Sequence, residues 1–451
     1  MSSNLQNSRI IKFYRKLTVA NFLNWLGIRL FRVASSFCSR LISYAIYLDS
    51  SRSIFKKNLL VLRAKGQNFY PYKTQTLPFY TIPEGCKLLA GKIKFFDTNK
   101  TIKLSLPKVI NNDFHVSKKY VCEAKLPDTY LAELDNVTIF GGTDLILARN
   151  LVLYDEVNRN EKYNYGIKSK HIINGISNKH ITIKIYKGFK NIDCGIHLIK
   201  DHSFNYFHWL VECLPRLSLI SELDKNIPLL VDEDIPNQSW EALQLLNFDD
   251  RQIIKVAKNT IYKVKKLYYP SQLSVIHDNF NIPCYYKDAV YSPSAINFVR
   301  DSVLEAYKII PTKKPSRKIY ISRKNSDYRQ LLNTTEIENM LVSKGFEIIF
   351  PEHLSFYAQV QIFSEASIII GQSGAGMANF IFAPKDCKIL IMVSDVPQTN
   401  LQVFAALIEP AGWEVQFLFG KHTFVLKKYS THANFYINIE TLLQYLDDNK
   451  I

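Results

Sequence analysis

Ile368 to Phe380 reads IIIGQSGAGMANF: three β-branched residues, three glycines within six positions, then an apolar run able to open a helix. Such a run bounded by glycine is the pattern of a buried strand. A strand that turns directly into a helix is the unit of an open α/β sheet, whose ligands bind beyond the carboxyl ends of the strands. Glycine there lets the backbone approach a phosphate with no Cβ between them, and supplies left-handed backbone where it is needed. The same glycines would serve a tight, closely packed strand-to-helix turn, so the loop alone does not choose between a phosphate cradle and a packing device.

Its surroundings narrow the choice. KIYISR, FEIIF, SIIIG, CKILIMVSD and EVQFLF read as strands, separated by helices at NTTEIENMLVSKG and LSFYAQVQIFSEA. Thr335 and Glu338 stand at capping-box spacing, Ser355 is placed as an N-cap, and Gly345 stops the first helix. Residues 311–425 therefore read as a Rossmann-like nucleotide-binding domain, followed by a C-terminal helical segment at 426–451. Ile310 to Arg317, IPTKKPSR, is the candidate linker. Upstream, residues 59–310 begin with short β-rich runs (KLLAGKIKFF, NVTIFGG, DLILARNLVLY, HITIKIY) and then alternate strand with helix. The fold class is α/β, with two Rossmann-like domains facing a cleft.

At 451 residues with 47% hydrophobic and 22% charged content, the chain has the profile of a folded, multidomain protein and not of a disordered one. Its net charge of +17 favours an anionic partner. Residues 1–48 hold no Asp or Glu but carry Arg9, Lys12, Arg15, Lys16, Arg29, Arg32 and Arg40 among apolar residues. They are too charged to span a bilayer. A basic amphipathic extension at 1–58 lying on an anionic membrane through residues 9–40, or packed on the body, fits the pattern. The expected location is cytoplasmic, peripheral to the inner membrane face. The seven cysteines stand far apart with no CxxC pair and no Cys/His cluster at ligand spacing, so no structural zinc is expected.

Two segments besides the glycine loop carry candidate chemistry. In NYFHWLVECLPRL, His208, Glu212 and Arg216 fall at i, i+4 and i+8, on one face of a helix. They form either a salt-bridge ladder or, behind the polar entry of Asp201, His202, Asn205 and Tyr206, a general base at a loop-to-helix mouth. Either His208 or Glu212 could be that base. Tyr206 and Trp209 offer flat faces for a sugar ring, although aromatics in such a helix commonly serve the core. In ISRKNSDYRQLLN, Arg323, Lys324 and Arg329 follow the first strand of the C-terminal unit, where cations can neutralise a diphosphate. Asn379 follows the glycines by one helical turn and would lock the loop or touch ligand. Asp395, at the end of the next strand, sits where a ribose-binding carboxylate would, so a nicotinamide-dependent oxidoreductase enters as an alternative. Gly371, Gly374 and Gly376, however, run GxxGxG and not GxGxxG. A noncatalytic glycan- or membrane-binding protein is the second alternative.

Together, NYFHWLVECLPRL, KIYISRKNSDYRQLLN and GFEIIFPEHLSFYAQVQIFSEASIIIGQSGAGMANFIFAP resemble glycosyltransferase family 61 in order and spacing over about residues 190–400. The first 180 residues carry no such resemblance. It implies an inverting transferase of the two-domain GT-B architecture that builds capsular or other surface polysaccharide or lipopolysaccharide. No cofactor is implied beyond a nucleotide-sugar donor, UDP-linked, as substrate; the partners are a glycan or glycolipid acceptor, and no nucleic acid. Carried over by position, Arg323 resembles the family's arginine after the first strand. Gly374, Ala375, Gly376 and Asn379 resemble its GAGxxN loop, and His208, Glu212 and Arg216 its HWxxExxPR helix. Ser373 stands where the family often has His, and Ile391 where it often has Glu, which puts the donor contacts at those two places in question.

Overall fold

In the computed structural model, residues 72–104, 107–110, 123–155, 172–177, 180–186, 188–276, 289–407, 413–423 and 430–451 are described. The basic extension expected at 1–58 lies outside them. Among the described residues, no helix is long and apolar enough to cross a membrane.

Two sheets organise Thr74–Ile451, which forms one compact unit. In the first, Ile253–Val256, Leu229–Asp232, Lys190–His197 and Ile261–Pro270 lie side by side and parallel. The long strand Thr129–Phe140 closes this parallel group in antiparallel register, from Ile261 opposite Phe140 to Pro270 opposite Leu131. The sequence follows from the burial. LLVD at 229–232 is buried at all four positions, as a parallel strand covered on both faces must be, whereas Ile261–Pro270 alternates buried and exposed over its first half. One run departs from its expected state: Lys87–Leu89 of KLLAGKIKFF end a helix, Ile82–Leu89. Thr81 and Glu84 form a capping box at its start and Pro83 stands in its first turn; the strand begins only at Lys92.

The second sheet orders its parallel strands Glu347–Ile349, Arg317–Ile321, Ala366–Gln372, Lys388–Ser394 and Glu414–His422. In chain order this is 2-1-3-4-5, a doubly wound arrangement. Its ligand crevice opens where the order reverses, between the carboxyl ends of the first and third strands. Those ends are Ile321 and Gln372, so the segments beginning at Ser322 and Ser373 meet at the switch point. Phe435–Tyr436 adds an antiparallel edge, and Lys108–Val109, from far upstream, pairs with Glu414–His422.

The helices between these strands obey their apolar spacing. Phe356, Val360 and Phe363 are fully buried, and Ser355 caps their helix by accepting from the Ala358 amide at 3.2 Å. Gly345 stops the preceding helix with φ +84. The capping box expected there does not form. Asn333 precedes the helix Thr334–Ser343, Thr334 donates to the Leu331 carbonyl, and Glu338 instead accepts from the Ser322 hydroxyl at 2.8 Å. A continuous apolar cluster joins the sheets, with Leu229 and Val231 of the first in the same core as Ile319, Ile369 and Ile389 of the second.

Candidate active site

The segment 206–219 is no regular α-helix. Tyr206–His208 make one α turn, Trp209–Cys213 widen into a π turn with the Leu214 amide bonded to the Trp209 carbonyl, and Leu214–Leu219 tighten to 3-10 around Pro215. A π turn inserted in a helix is a frequent device at functional sites. Here His208 and Glu212 still meet, with Nδ1 2.6 Å from Oε2. Arg216 leaves their line: its Nε donates to the Pro270 carbonyl at 2.9 Å, and its guanidinium lies 5.0 Å from the centre of the Tyr269 ring. The continuous His–Glu–Arg ladder is thus replaced by a His–Glu pair and a separate buried arginine.

Glu212 is completely buried and committed at both oxygens. Oε2 faces His208; Oε1 accepts from the Ile276 amide at 3.0 Å and lies 3.6 Å from the Lys200 ammonium, itself buried. A carboxylate accepts, so within this pair Nδ1 of His208 carries the proton. Lys200 is fixed in turn by Asp232. This carboxylate accepts from the Lys200 amide at 3.2 Å, the Ser203 hydroxyl at 2.6 Å and the Gly142 amide at 2.8 Å. Burial raises the Asp232 carboxyl to about 6, against the lowering by those donors. Asp232 and Asp234 have Asp-x-Asp spacing at a strand end, but their carboxylates part: Asp234 pairs with Lys258 at 2.6 Å.

A cavity of about 180 Å³ places this pair opposite the switch point. Asn205, Phe207 and His208 line one side; Tyr328, Arg329, Ser373, Gly374 and Ala375 line another; Ser394, Gln398–Asn400, Phe404, Thr431 and His432 complete it. Gly374 shows why the loop lacks side chains. Its backbone is extended, with φ −177, and a Cβ there would stand 2.0 Å from Nη1 of Arg323. None of the GQSGAG glycines uses left-handed backbone; Gly374 is required by close approach alone. The left-handed residue is Arg329, φ +57, whose Nη1 reaches the Ser373 hydroxyl at 3.5 Å. Left-handed backbone at a long side chain is strained and persists only where neighbours enforce it. Here the Arg329 amide donates to the His432 carbonyl at 3.4 Å, and Leu332 and Phe435 complete a short ladder. Arg323 and Arg329 share the face of Tyr328, which stacks on His432 at 4.2 Å. Burial first, and the Arg329 charge second, lower Arg323 to about 10.

Asn379 is fully buried and ties the two walls together. Its Oδ1 accepts from the Tyr206 hydroxyl at 2.5 Å, while Nδ2 donates to Gln359 Oε1 at 2.6 Å and to the Gly376 carbonyl at 3.2 Å. Of its two expected roles it therefore performs the locking one. Asn205 lines the cavity and caps its helix through the Phe207 amide at 3.0 Å.

Other expected residues stand elsewhere. Trp209 and Arg216 are fully buried, Asp201 lies half-buried in the preceding turn, and Gly376 packs beside Pro351. Lys324 is directed to Glu338, 3.9 Å away, and Asp395 accepts from the His422 amide at 2.7 Å. Sequence reasoning passed over Tyr328, His432, Lys200 and the polar run Gln398–Asn400. Tyr328 lies inside the quoted SRKNSDYR, between two arginines it touches, and was the one with a local signal.

Residues 206–390 match the family described as Glycosyltransferase 61, which bears out the resemblance over that segment. A search of curated proteins finds no match. The matched span holds His208, Glu212, Arg323, Arg329 and the glycine loop, and stops before the cavity wall formed by 394–404 and 431–435.

Proposed function

With the segment 206–390 identified as glycosyltransferase 61, we propose that this protein is an inverting, metal-independent glycosyltransferase of the GT-B type. It moves a sugar from a nucleoside diphosphate to a hydroxyl of a glycan or glycolipid acceptor, in the synthesis of a surface polysaccharide. The observation that carries the reading is a single cavity lined by His208 on one side and by Arg329, Ser373 and Gly374 on the other. A base and an anion site thus face the same space.

The contacts support the following roles. His208 Nε2 takes the acceptor's hydroxyl proton as the oxygen attacks the anomeric carbon from the face opposite the diphosphate. The bond from that carbon to the phosphate oxygen breaks, and the diphosphate departs toward Arg329 and the backbone at Ser373–Gly374, with Arg323 behind them. Glu212 is the orienter and not the base, because both its oxygens are committed; it holds Nδ1 and stabilises the imidazolium that forms. Cations and backbone dipoles suffice to meet the leaving-group charge.

Ligand-induced melting shifts test the reading. Nucleoside diphosphates and their sugars should raise the melting temperature, NAD should not, and the stabilising donor should be slowly hydrolysed. Arg323→Ala should lower that hydrolysis by about tenfold or more, the scale of a lost charge-assisted contact. Equal stabilisation by NAD, or hydrolysis unchanged in Arg323→Ala, would count against it.

A further inference from the structure

Behind the His208–Glu212 pair stands a cation that neither motif contains. Lys200 follows the strand Lys190–His197 and is 2% exposed. Its ammonium lies 3.6 Å from Glu212 Oε1, on the far side of the carboxylate from His208. Its backbone is held by Asp232, itself buried and gripped by Ser203 and Gly142. Placing an ammonium so deep is expensive unless it is paired, and this position adds a positive charge beside the Glu212 oxygen that the Ile276 amide also holds, opposite the one facing His208.

We infer that Lys200 is a positioning residue: it fixes the far oxygen of Glu212 and offsets its charge, so that His208 stays neutral and able to accept a proton. The inference rests on the proposed role of His208 as base. A buried carboxylate 2.6 Å from an imidazole, acting alone, stabilises imidazolium and converts the base to its useless form near neutral pH. The ammonium on the other oxygen opposes this. Among the described residues, the other charged or titratable groups around the pair include Asp201 in the turn beside Lys200, the buried Cys213, and Asp232, whose carboxyl is raised to about 6 and which holds the Lys200 backbone; none of these is a cation on Glu212. His202 faces His208 ring to ring at 5.1 Å from the preceding turn, Arg329 and His432 stand at the cavity wall, and Arg216 is turned to Pro270 and Tyr269.

The test is Lys200→Met in the full chain, read in two ways. The pH profile of transfer should have its acid limb at the His208 pKa. Removing the cation should move that limb to higher pH by about one to two units, the scale of a unit charge at this range. Activity should approach the wild-type value above the new limb. A loss of activity equal at all pH, or an unmoved limb, overturns the inference. The second reading is the NMR titration of the His208 ring, which needs no turnover. Its midpoint should rise in Lys200→Met, or in Lys200→Gln should the methionine variant fail to fold. The wild-type midpoint should lie below that of the variant; an equal or higher wild-type midpoint overturns the inference. A midpoint that shifts in a protein that turns over no donor keeps the charge coupling and removes the proposed function instead.

Discussion

The two walls of the cavity are built on opposite electrostatic principles. On the His208 wall the carboxylates are held by donors on every side: Glu212 stands between His208 and Lys200, and Asp232 accepts from the Lys200 and Gly142 amides and the Ser203 hydroxyl. On the Arg323 wall, two arginines crowd one tyrosine ring. Arg323 is mostly buried with one weak contact, its Nη2 donating to the Tyr328 carbonyl at 3.4 Å, and its Nε has no hydrogen-bond partner. The carboxylates of the first wall are satisfied within the fold, whereas the cations of the second have room for an anion to complete them. A base must be held in one protonation state before substrate arrives, while a leaving-group site works best when its stabilisation is realised on the departing charge.

That contrast can be broken most severely at His208. His208→Gln should reduce sugar transfer by about 10²–10⁴-fold, the usual contribution of a general base, while donor-induced melting shifts persist. Loss of donor binding in the same variant would erase the division of labour between the walls. Gly374→Ala attacks the other wall: the added Cβ, 2.0 Å from Arg323 Nη1, must displace the guanidinium. Donor affinity measured by calorimetry should weaken by about 1–3 kcal/mol, in line with overpacking of a tight site; unchanged affinity would show that Arg323 does not serve the donor. The tie between the walls is the mildest target. Asn379→Ala strands the Tyr206 hydroxyl, Gln359 Oε1 and the Gly376 carbonyl, and should lower the unfolding free energy by about 2–3 kcal/mol in urea melts. Tyr206→Phe, which removes one hydrogen bond, should cost about 1 kcal/mol. A larger effect for Tyr206→Phe than for Asn379→Ala would reverse the order of importance.

The second sheet was largely legible because a covered parallel strand has to be a short β-branched run and each intervening helix has to repeat at 3.6 residues. KIYISR, SIIIG and CKILIMVSD each became the strand they resembled. The His208 segment was legible in membership but not in winding. NYFHWLVECLPRL has the spacing of an α-helix, while the π turn at Trp209–Cys213 and the contacts of Arg216 with Pro270 and Tyr269, far away in sequence, leave no mark in that spacing. Lys200 had no signal at all. A lysine in HLIKDH reads as a surface residue until the parallel sheet sets its strand end behind Glu212. Thr335 shows the reverse error, a local capping pattern overridden because Ser322 claimed Glu338.

The left-handed backbone of Arg329 is braced by its own amide, which donates to the His432 carbonyl, and, one to three residues on, by the ladder in which the Phe435 amide donates to the Gln330 carbonyl and the Leu332 amide to the Phe435 carbonyl. More than a hundred residues separate the braced loop from its brace, so the ribosome delivers the brace well after the loop. A nascent chain can thus wind the strands and glycine turn of this sheet while the arginine still lacks the contacts that hold its strained backbone. The wall formed by this loop therefore gains its full set of contacts later than the strands it follows, so it matures after the sheet beneath it.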